Sequence, residues 1–407
     1  MTNAATALVI GGGIAGPVTA MALQRVGIRA TMYEAYDRPA DGAGGAMMIG
    51  LNALNALRTL GLDDTVRDIG IPTRRVIVDS WTGKRVTELR TPRDQLDNQV
   101  VARTDLYRAL YDKTANRGIR IEHGKRLVGA EDTDDGVTAH FADGTTASAD
   151  ILIGADGIHS TVRSLIDPHA PQPSYLGLLS FIGVVDDPGL IVDHAVHLVY
   201  GKRAYYGYRV NEDRPTLWYC DMPAAEPLTA AQMREVPAEE WLRRLRELVA
   251  GDNTPASDIL RQADPDKLVI AGPSEYLPNV PTWHRGRMVL VGDSAHAPSS
   301  SSGQGASMSI ESATQLARCL RDLPMVSDAF TGYEALRRPR LRRVIARGER
   351  NKSRKTVSGL RRVLRDLLLP VVMKLTFTPE KMAWLFEYQI DWGAPVRSAT
   401  ASGAAGP

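Results

Sequence analysis

Three glycines and one carboxylate near the start of the chain have the types and spacing that bind a dinucleotide. The glycines follow the pattern Gly-x-Gly-x-x-Gly at 11, 13 and 16, and a glutamate ends the next apolar segment at 34. The first glycine permits a tight turn, the second lets the backbone approach a pyrophosphate, and the third allows close helix–strand packing. N–H groups at the start of a helix would meet the phosphates, and the carboxylate would accept hydrogen bonds from ribose hydroxyls. The residues predicted to contact the dinucleotide are Gly11, Gly13, Ile14, Ala15, Gly16 and Glu34.

This first pattern is compatible with NAD or FAD, and two later motifs bear on that choice. One is Ile-Gly-Ala-Asp-Gly-Ile-His-Ser at 153–160, after a buried apolar run and before a helix, with Arg163 close behind. The other is Leu-Val-Gly-Asp-Ser-Ala-His at 290–296, which continues through a serine run to Gly-Gln-Gly-Ala at 303–306. Each motif places a carboxylate just after a predicted buried strand.

With three such motifs in this order, the chain resembles the FAD-dependent (class A) flavoprotein monooxygenases of the para-hydroxybenzoate hydroxylase type. The resemblance extends over about residues 1–375. It implies FAD as the cofactor, NAD(P)H as the reductant and molecular oxygen as a co-substrate. It also implies hydroxylation or epoxidation of a small aromatic or secondary-metabolite substrate by a flavin C4a-hydroperoxide. The protein would then supply orientation, electrostatics and exclusion of water.

The resemblance assigns roles to residues of the third motif. Asp293 corresponds to the residue that hydrogen-bonds the ribityl chain of FAD. Gly303, Gly305 and Ala306 would bring N–H groups and a helix dipole to the N1 and C2-carbonyl edge of the flavin, which stabilises an anionic reduced flavin. The alternative for this loop is a helix cap with no ligand. His296, in the same motif, is expected to be structural.

Asp156 and Arg103 have a functional and a structural interpretation each. Asp156, with Arg163, matches a signature that supports the pyrophosphate region and is linked to NAD(P)H use, and its alternative is a purely structural turn. Arg103 matches an arginine that reaches the FAD phosphates, and its alternative is an ordinary arginine at the start of a helix.

The predicted catalytic residue is Arg203, which some relatives place close to the flavin N5 edge. A solvated strand arginine is the alternative, and Arg209 and Tyr219 are then the next candidates. Ser300 stands where many relatives have a proline. That difference leaves the rigidity of the loop, and so the geometry of the oxygen reaction, open.

The elements that must position these residues follow two different patterns. Short, continuous apolar runs predict buried parallel strands at 7–10, 151–153 and 287–291, and residues 30–34 are predicted to form the second strand of a βαβ unit. The segment from about 174 to 222 is aromatic and β-branched with Pro and Gly punctuation, which is typical of antiparallel strands. The predicted fold is therefore α/β, with a Rossmann-like FAD-binding domain, an inserted antiparallel-sheet substrate domain and a helical C-terminal segment.

The predicted domains are discontinuous because the parallel-strand pattern returns after the antiparallel segment. The proposed division is an FAD-binding domain (1–73, 101–173 and 281–350), a substrate-binding domain (74–100 and 174–280), C-terminal helices (351–397) and a flexible tail (398–407).

Composition argues against several other classes of protein. The chain has 407 residues and a net charge of +2, which gives no global case for a nucleic-acid partner. Its two cysteines, Cys220 and Cys319, are too few for a disulfide framework, and no metal site is predicted. No signal peptide is recognised, and the longest late apolar stretch is broken by Pro370. A cytoplasmic protein without stable membrane insertion is expected, whereas substrate, NADH or NADPH preference and oligomeric state stay open.

Three alternatives remain. The segment 337–365 holds thirteen Arg or Lys and one acid, so it is either a solvated helix face or a surface for membrane or nucleic acid. A flavin-dependent halogenase would share the first domain, but none of the six tryptophans lies in the Trp-x-Trp-x-Ile motif of those enzymes. A flavin-binding partner protein without oxygenase activity is the third.

Overall fold

The computed structural model describes residues 4–37, 45–92, 94–355, 368 and 371–397. The strands are β1 (Thr6–Ile10), β2 (Arg29–Tyr33), β3 (Ala46–Ile49), β4 (Ile71–Thr73), β5 (Arg75–Ser80), β6 (Arg85–Arg90), β7 (Asn98–Ala102), β8 (Arg120–Glu122), β9 (Leu127–Asp132), β10 (Val137–Phe141), β11 (Thr146–Ala149), β12 (Ile151–Gly154), β13 (Ser174–Val185), β14 (Ala195–Tyr200), β15 (Tyr205–Arg209), β16 (Thr216–Pro223), β17 (Val269–Tyr276), β18 (His284–Arg285) and β19 (Met288–Leu290).

The α-helices of the described residues are α1 (Ala15–Arg25), α2 (Leu51–Thr59), α3 (Asp63–Arg67), α4 (Arg103–Asn116), α5 (Thr161–Ile166), α6 (Ala230–Glu235), α7 (Ala238–Val249), α8 (Ala256–Gln262), α9 (Gly305–Asp322), α10 (Val326–Lys355), α11 (371–376) and α12 (Pro379–Phe386). None of them is long and apolar enough to cross a bilayer.

A six-stranded, mainly parallel sheet forms the first layer, in the order β18-β19-β12-β1-β2-β8. β1 pairs in parallel with β12, about 140 residues later in the chain, and β12 pairs in parallel with β19. The side chains of β1, β12 and β19 are nearly all buried, because α1 packs on β1 and β2 while β11 and β10 of a smaller sheet contact β1 and β12. The buried parallel strands predicted from the apolar runs are thus confirmed.

A seven-stranded sheet forms the second layer, in the order β17-β13-β16-β15-β14-β5-β6. Its pairs are antiparallel except for β14 with β5. One face packs on α7 and α8, where the fully buried Trp241 lies 5.0 Å from the ring of Phe181. Such an aromatic pair contributes about 1 kcal/mol beyond its buried area. The other face is turned toward the parallel sheet.

Two three-stranded sheets, β11-β10-β9 and β3-β7-β4, complete the β structure. The mixed α/β fold with a parallel sheet, an antiparallel sheet and C-terminal helices is the predicted fold class. The predicted flexible tail (398–407) and part of the basic segment (356–365) lie outside the described residues.

Candidate functional site

A cavity of about 1000 Å³ lies between the parallel sheet and the seven-stranded sheet. Eight of the residues predicted to contact the cofactor line it: Gly13, Ile14, Ala15, Arg103, Asp293, Gly303, Gly305 and Ala306. The other four predicted residues do not line the cavity, but each lies beside or contacts a residue of a loop that lines it. They are Gly11, Gly16, Glu34 and Asp156. The structure therefore brings segments together that are up to about 290 residues apart in the chain.

The glycine loop has the geometry that its spacing predicts. Gly11 has a φ of +103°, and a Cβ there would lie 2.5 Å from the carbonyl oxygen of Ala155. A Cβ on Gly16 would collide with the carbonyl oxygen of Gly11, so only glycine permits this packing of α1. A Cβ on Gly13, by contrast, would have no heavy atom nearer than 4.0 Å, so this stretch of backbone is open to the cavity. No side chain caps α1, which leaves its first N–H groups available to a phosphate.

Glu34 holds the glycine loop from the neighbouring strand. Its Oε2 accepts a hydrogen bond from the N–H of Gly12 at 2.6 Å, and its Oε1 accepts one from the N–H of Tyr36 at 3.0 Å. The carboxylate lies directly after β2, as the sequence predicts. Each oxygen keeps further acceptor capacity for a hydroxyl donor.

Asp156 organises the start of α5. It accepts hydrogen bonds from the hydroxyl of Ser160 at 2.5 Å and from the N–H of Val162 at 3.1 Å. Burial raises its pKa, and those two hydrogen bonds oppose the shift. The fully buried Arg163 donates to the carbonyl oxygens of Ser294 and Ile158 at 3.1 and 2.8 Å. The second motif is thereby fastened to the third, and a role of Asp156 toward NAD(P)H stays a prediction.

Asp293 presents an acceptor to the cavity that no described residue satisfies. Its Oδ1 is buried and has no hydrogen-bond partner among the described residues. Burial raises its pKa to about 6, and the charge of Arg103 opposes that shift. A buried carboxylate oxygen without a partner is costly, so a hydroxyl donated by a bound molecule would stabilise it. The ribityl chain of FAD carries such hydroxyls.

The start of α9 supplies donors beside Asp293. Gly303 adopts a left-handed conformation with φ +62°, and Gln304 begins the helix without a side-chain cap. The Nε2 of Gln304 is buried without a partner among the described residues, while its Oε1 accepts from Asn52 at 3.0 Å. Open backbone at Gly305 completes a cradle of N–H groups. The cradle, the open glycine backbone and the orphaned carboxylate together fit FAD.

Arg103 faces the same cavity from the start of α4. Its Nε and Nη2 donate to the hydroxyl of Tyr107 at 2.8 and 2.6 Å, and both residues line the cavity. The cation is therefore placed where a phosphate of the cofactor could reach it.

Arg203 is not brought to the cavity. It is exposed in the turn before β15 and donates to the backbone carbonyls of Glu247 and Leu248 at the end of α7. In a turn the strand alternation does not fix the direction of a side chain, so this arginine reaches outward to the helix. Arg209 is buried and does line the cavity. Its donors are taken by the Thr73 hydroxyl at 3.0 Å, the Pro72 carbonyl at 2.9 Å and Asn211.

His296 is buried against Ser312, whose hydroxyl lies 2.8 Å from its Nε2. Burial lowers its pKa to about 3, so the imidazole is neutral, and its structural role stays a prediction.

A buried ion cluster that was not predicted from the sequence lies behind the start of α9. Glu311 and Arg337 are fully buried, and Arg337 donates to Oε2 of Glu311 at 2.5 Å. Arg340 donates to both oxygens of Glu311 at 2.7 and 2.8 Å, and Asn52 donates at 2.6 Å. A single acid inside an apolar helix face was the signal that could have indicated it. The cluster ties α2, α9 and α10 together and so fixes the cradle.

The described residues contain no group of three or more His, Cys, Asp or Glu placed to hold a metal ion.

Comparison with known proteins adds independent information. A family model described as an FAD binding domain matches residues 4–347. The chain is 30% identical to 3-amino-4-hydroxybenzoate 2-monooxygenase PtnB3 of Streptomyces platensis, over 96% of this chain and 97% of that protein. It is 28% identical to the FAD-dependent urate hydroxylase of Klebsiella pneumoniae, over 84% of this chain and 88% of that protein. Among solved structures, Klebsiella pneumoniae HpxO complexed with FAD and uric acid gives a TM-score of 0.81 at 25% identity, with 94% and 95% of the chains covered.

Proposed function

This chain belongs to the FAD-binding-domain family and is an FAD-dependent monooxygenase, and we propose that it uses NAD(P)H and O₂ to insert one oxygen atom into a small aromatic substrate. The observation that carries the proposal is the orphaned carboxylate of Asp293 beside an open glycine cradle, on one wall of a cavity whose other wall is a β-sheet. Residues 74–100 and 174–280, which supply that sheet, would form the substrate-binding domain.

The residues of the cradle would hold the cofactor by its polar parts. The N–H groups at the start of α1 and the cation of Arg103 would receive the phosphates, and Glu34 would receive ribose hydroxyls. Asp293 would accept from the ribityl chain. The open backbone at Gly305 would face the pyrimidine edge of the ring system. FAD held in this way would supply the redox chemistry that couples oxidation of the nicotinamide to reduction of oxygen.

The rest of the cavity would orient the substrate and keep water out. Its sheet wall is largely apolar, and Met373, Phe377 and Leu385 of the C-terminal segment also line the cavity, where Met373 and Phe377 pack against side chains of the sheet. An enclosure of this kind protects a reactive oxygen species from decay into hydrogen peroxide.

The test uses the purified, FAD-loaded protein with a panel of aromatic compounds. We expect NAD(P)H oxidation that rises with a subset of the panel, and a product that has gained one oxygen atom by mass spectrometry. A non-oxygenating flavin-binding protein would oxidise no nicotinamide in response to any compound. A halogenase would yield a product that gains a halogen only when a halide is present.

A further inference from the structure

The cavity-facing side of the seven-stranded sheet is apolar over much of its area. Side chains alternate along each strand, so every second residue of β5, β14 and β16 faces the cavity. These inward residues include Val76, Val78, Val196, Leu198 and Leu217. A ligand against this wall gains from burial of apolar surface rather than from paired charges.

The arginine side chains that line the cavity already interact with other groups of the protein. Among the described residues they are Arg103, Arg209 and Arg347. Arg103 lies at the cofactor end, hydrogen-bonded to a tyrosine hydroxyl. The guanidinium of Arg209 donates hydrogen bonds to backbone and side-chain oxygens of the protein. Arg347 lies 5.7 Å from the ring centroid of Phe377. A substrate carboxylate would therefore have to compete with existing partners for a counter-ion.

A carboxylate of the protein lies in the same wall. Asp221, on β16, is 3% exposed, lines the cavity and accepts a hydrogen bond from the hydroxyl of Ser180 at 2.7 Å. Tyr219 lies two residues before it on the same face, and its ring centroid is 6.1 Å from that of Tyr205. Burial raises the pKa of both phenols, and the negative charge of Asp221 adds to the rise for Tyr219. Both stay protonated. The hydroxyl of Tyr205 donates to that of Tyr219, and the proton of Tyr219 can be donated to a neutral acceptor.

From these contacts we propose that the substrate is an uncharged, mainly apolar aromatic compound with an oxygen or nitrogen acceptor for a tyrosine hydroxyl, and that Asp221 disfavours carboxylate-bearing analogues. The inference rests on the proposed function in taking this sheet as the substrate wall. It also predicts that acidic substrates of the kind named for some relatives are not the substrates here. Like-charge contact inside a partly dry cavity is the physical cause of the selectivity.

The test compares two compounds that differ in charge and little else. The full-length, FAD-loaded protein is titrated with 6-hydroxy-2-naphthamide and with 6-hydroxy-2-naphthoate, and the change in flavin absorbance gives a dissociation constant for each. We expect the dissociation constant of the amide to be at least about tenfold lower than that of the acid, because the acid makes an unfavourable like-charge contact. Equal or tighter binding of the acid would overturn the proposal, as would a flavin spectrum that neither compound changes.

Two variants identify the residue responsible. Asp221→Asn removes the charge and should reduce the preference for the amide to within about threefold, because the repulsive contact is gone. Ser180→Ala removes the hydrogen bond to Asp221 but keeps the charge, so the preference should persist. An Asp221→Asn protein that retains FAD and the full preference would rule Asp221 out. Because titration requires no turnover, the selectivity can be present in a protein that never consumes NAD(P)H. That result would sink the proposed function and leave the binding inference standing.

Discussion

The pH dependence of FAD binding tests the role of Asp293 directly. In the FAD-free protein burial raises the pKa of this carboxyl to about 6, from an ordinary 3.8. A hydroxyl that donates to the carboxylate favours the ionised form, so binding of FAD must displace the proton when the pH is below about 6. FAD affinity should therefore be constant above about pH 7 and should fall as the pH drops from 6 toward 4.

The magnitude follows from the difference between the two pKa values. If a donated hydroxyl returns the pKa of Asp293 from about 6 to its ordinary 3.8, the difference corresponds to about 3 kcal/mol and to roughly 100-fold in the dissociation constant of FAD. At about pH 5 roughly nine in ten of these carboxyls are protonated in the FAD-free protein, so FAD should bind about tenfold more weakly than at neutral pH.

The stability of the FAD-free protein changes in the opposite sense. Its native carboxyl holds the proton more tightly than the unfolded chain does, so the free energy of unfolding decreases as the pH rises from about 4 to 6.

The assay is quenching of flavin fluorescence on titration of FAD-free protein from about pH 5 to 8. Asp293→Asn cannot titrate and should give weaker binding at neutral pH with no slope in acid. An unchanged slope in the variant would place the titrating group elsewhere. A parent protein with no slope at all would mean that Asp293 does not receive the hydroxyl.

Three further predictions follow from other contacts. Glu34→Ala should weaken FAD binding about tenfold or more, since the ribose loses a charged acceptor and Gly12 loses its partner, and an unchanged dissociation constant would refute this. Glu311→Ala leaves the fully buried Arg337 without its carboxylate and should lower the free energy of unfolding by about 3–5 kcal/mol. Thermal or urea denaturation measures the loss, and a loss below about 1 kcal/mol would contradict the assignment of a tight buried pair. Arg203→Met changes an exposed residue in the turn before β15 and should leave the product formed per NAD(P)H oxidised unchanged. A marked rise in hydrogen peroxide would restore Arg203 to the active site.

The parallel sheet and its loops were predictable because their signals are local. Continuous apolar runs identify strands that are buried on both faces, and Gly11 and Gly16 stand where any other residue would collide with neighbouring backbone. The carboxylate of Asp293 follows such a strand directly, so its position in the cavity follows from the topology.

The substrate side was less predictable, because its residues depend on which way a strand faces. Arg203 and Arg209 are six positions apart in one basic and aromatic stretch, yet one is exposed and the other is buried in the cavity wall. The difference depends on where β15 begins, and strand boundaries are the weakest part of sequence interpretation. Met373 and Phe377 reach the cavity only because the chain returns to it after the long helix α10, and no local pattern indicates that return.

The two faces of the seven-stranded sheet separate the residues that line the cavity from those that form the core. Substrate range and stability, which usually change together in directed evolution, therefore depend on different positions. Ile182 and Leu198 face the cavity, while their immediate neighbours Phe181 and Val199 belong to the core over α7 and α8. A combinatorial library confined to alternate positions of β13, β14 and β16 would vary substrate range while sparing the residues on which folding depends. The same alternation of side chains allows natural sequences to diverge in substrate while the fold is retained.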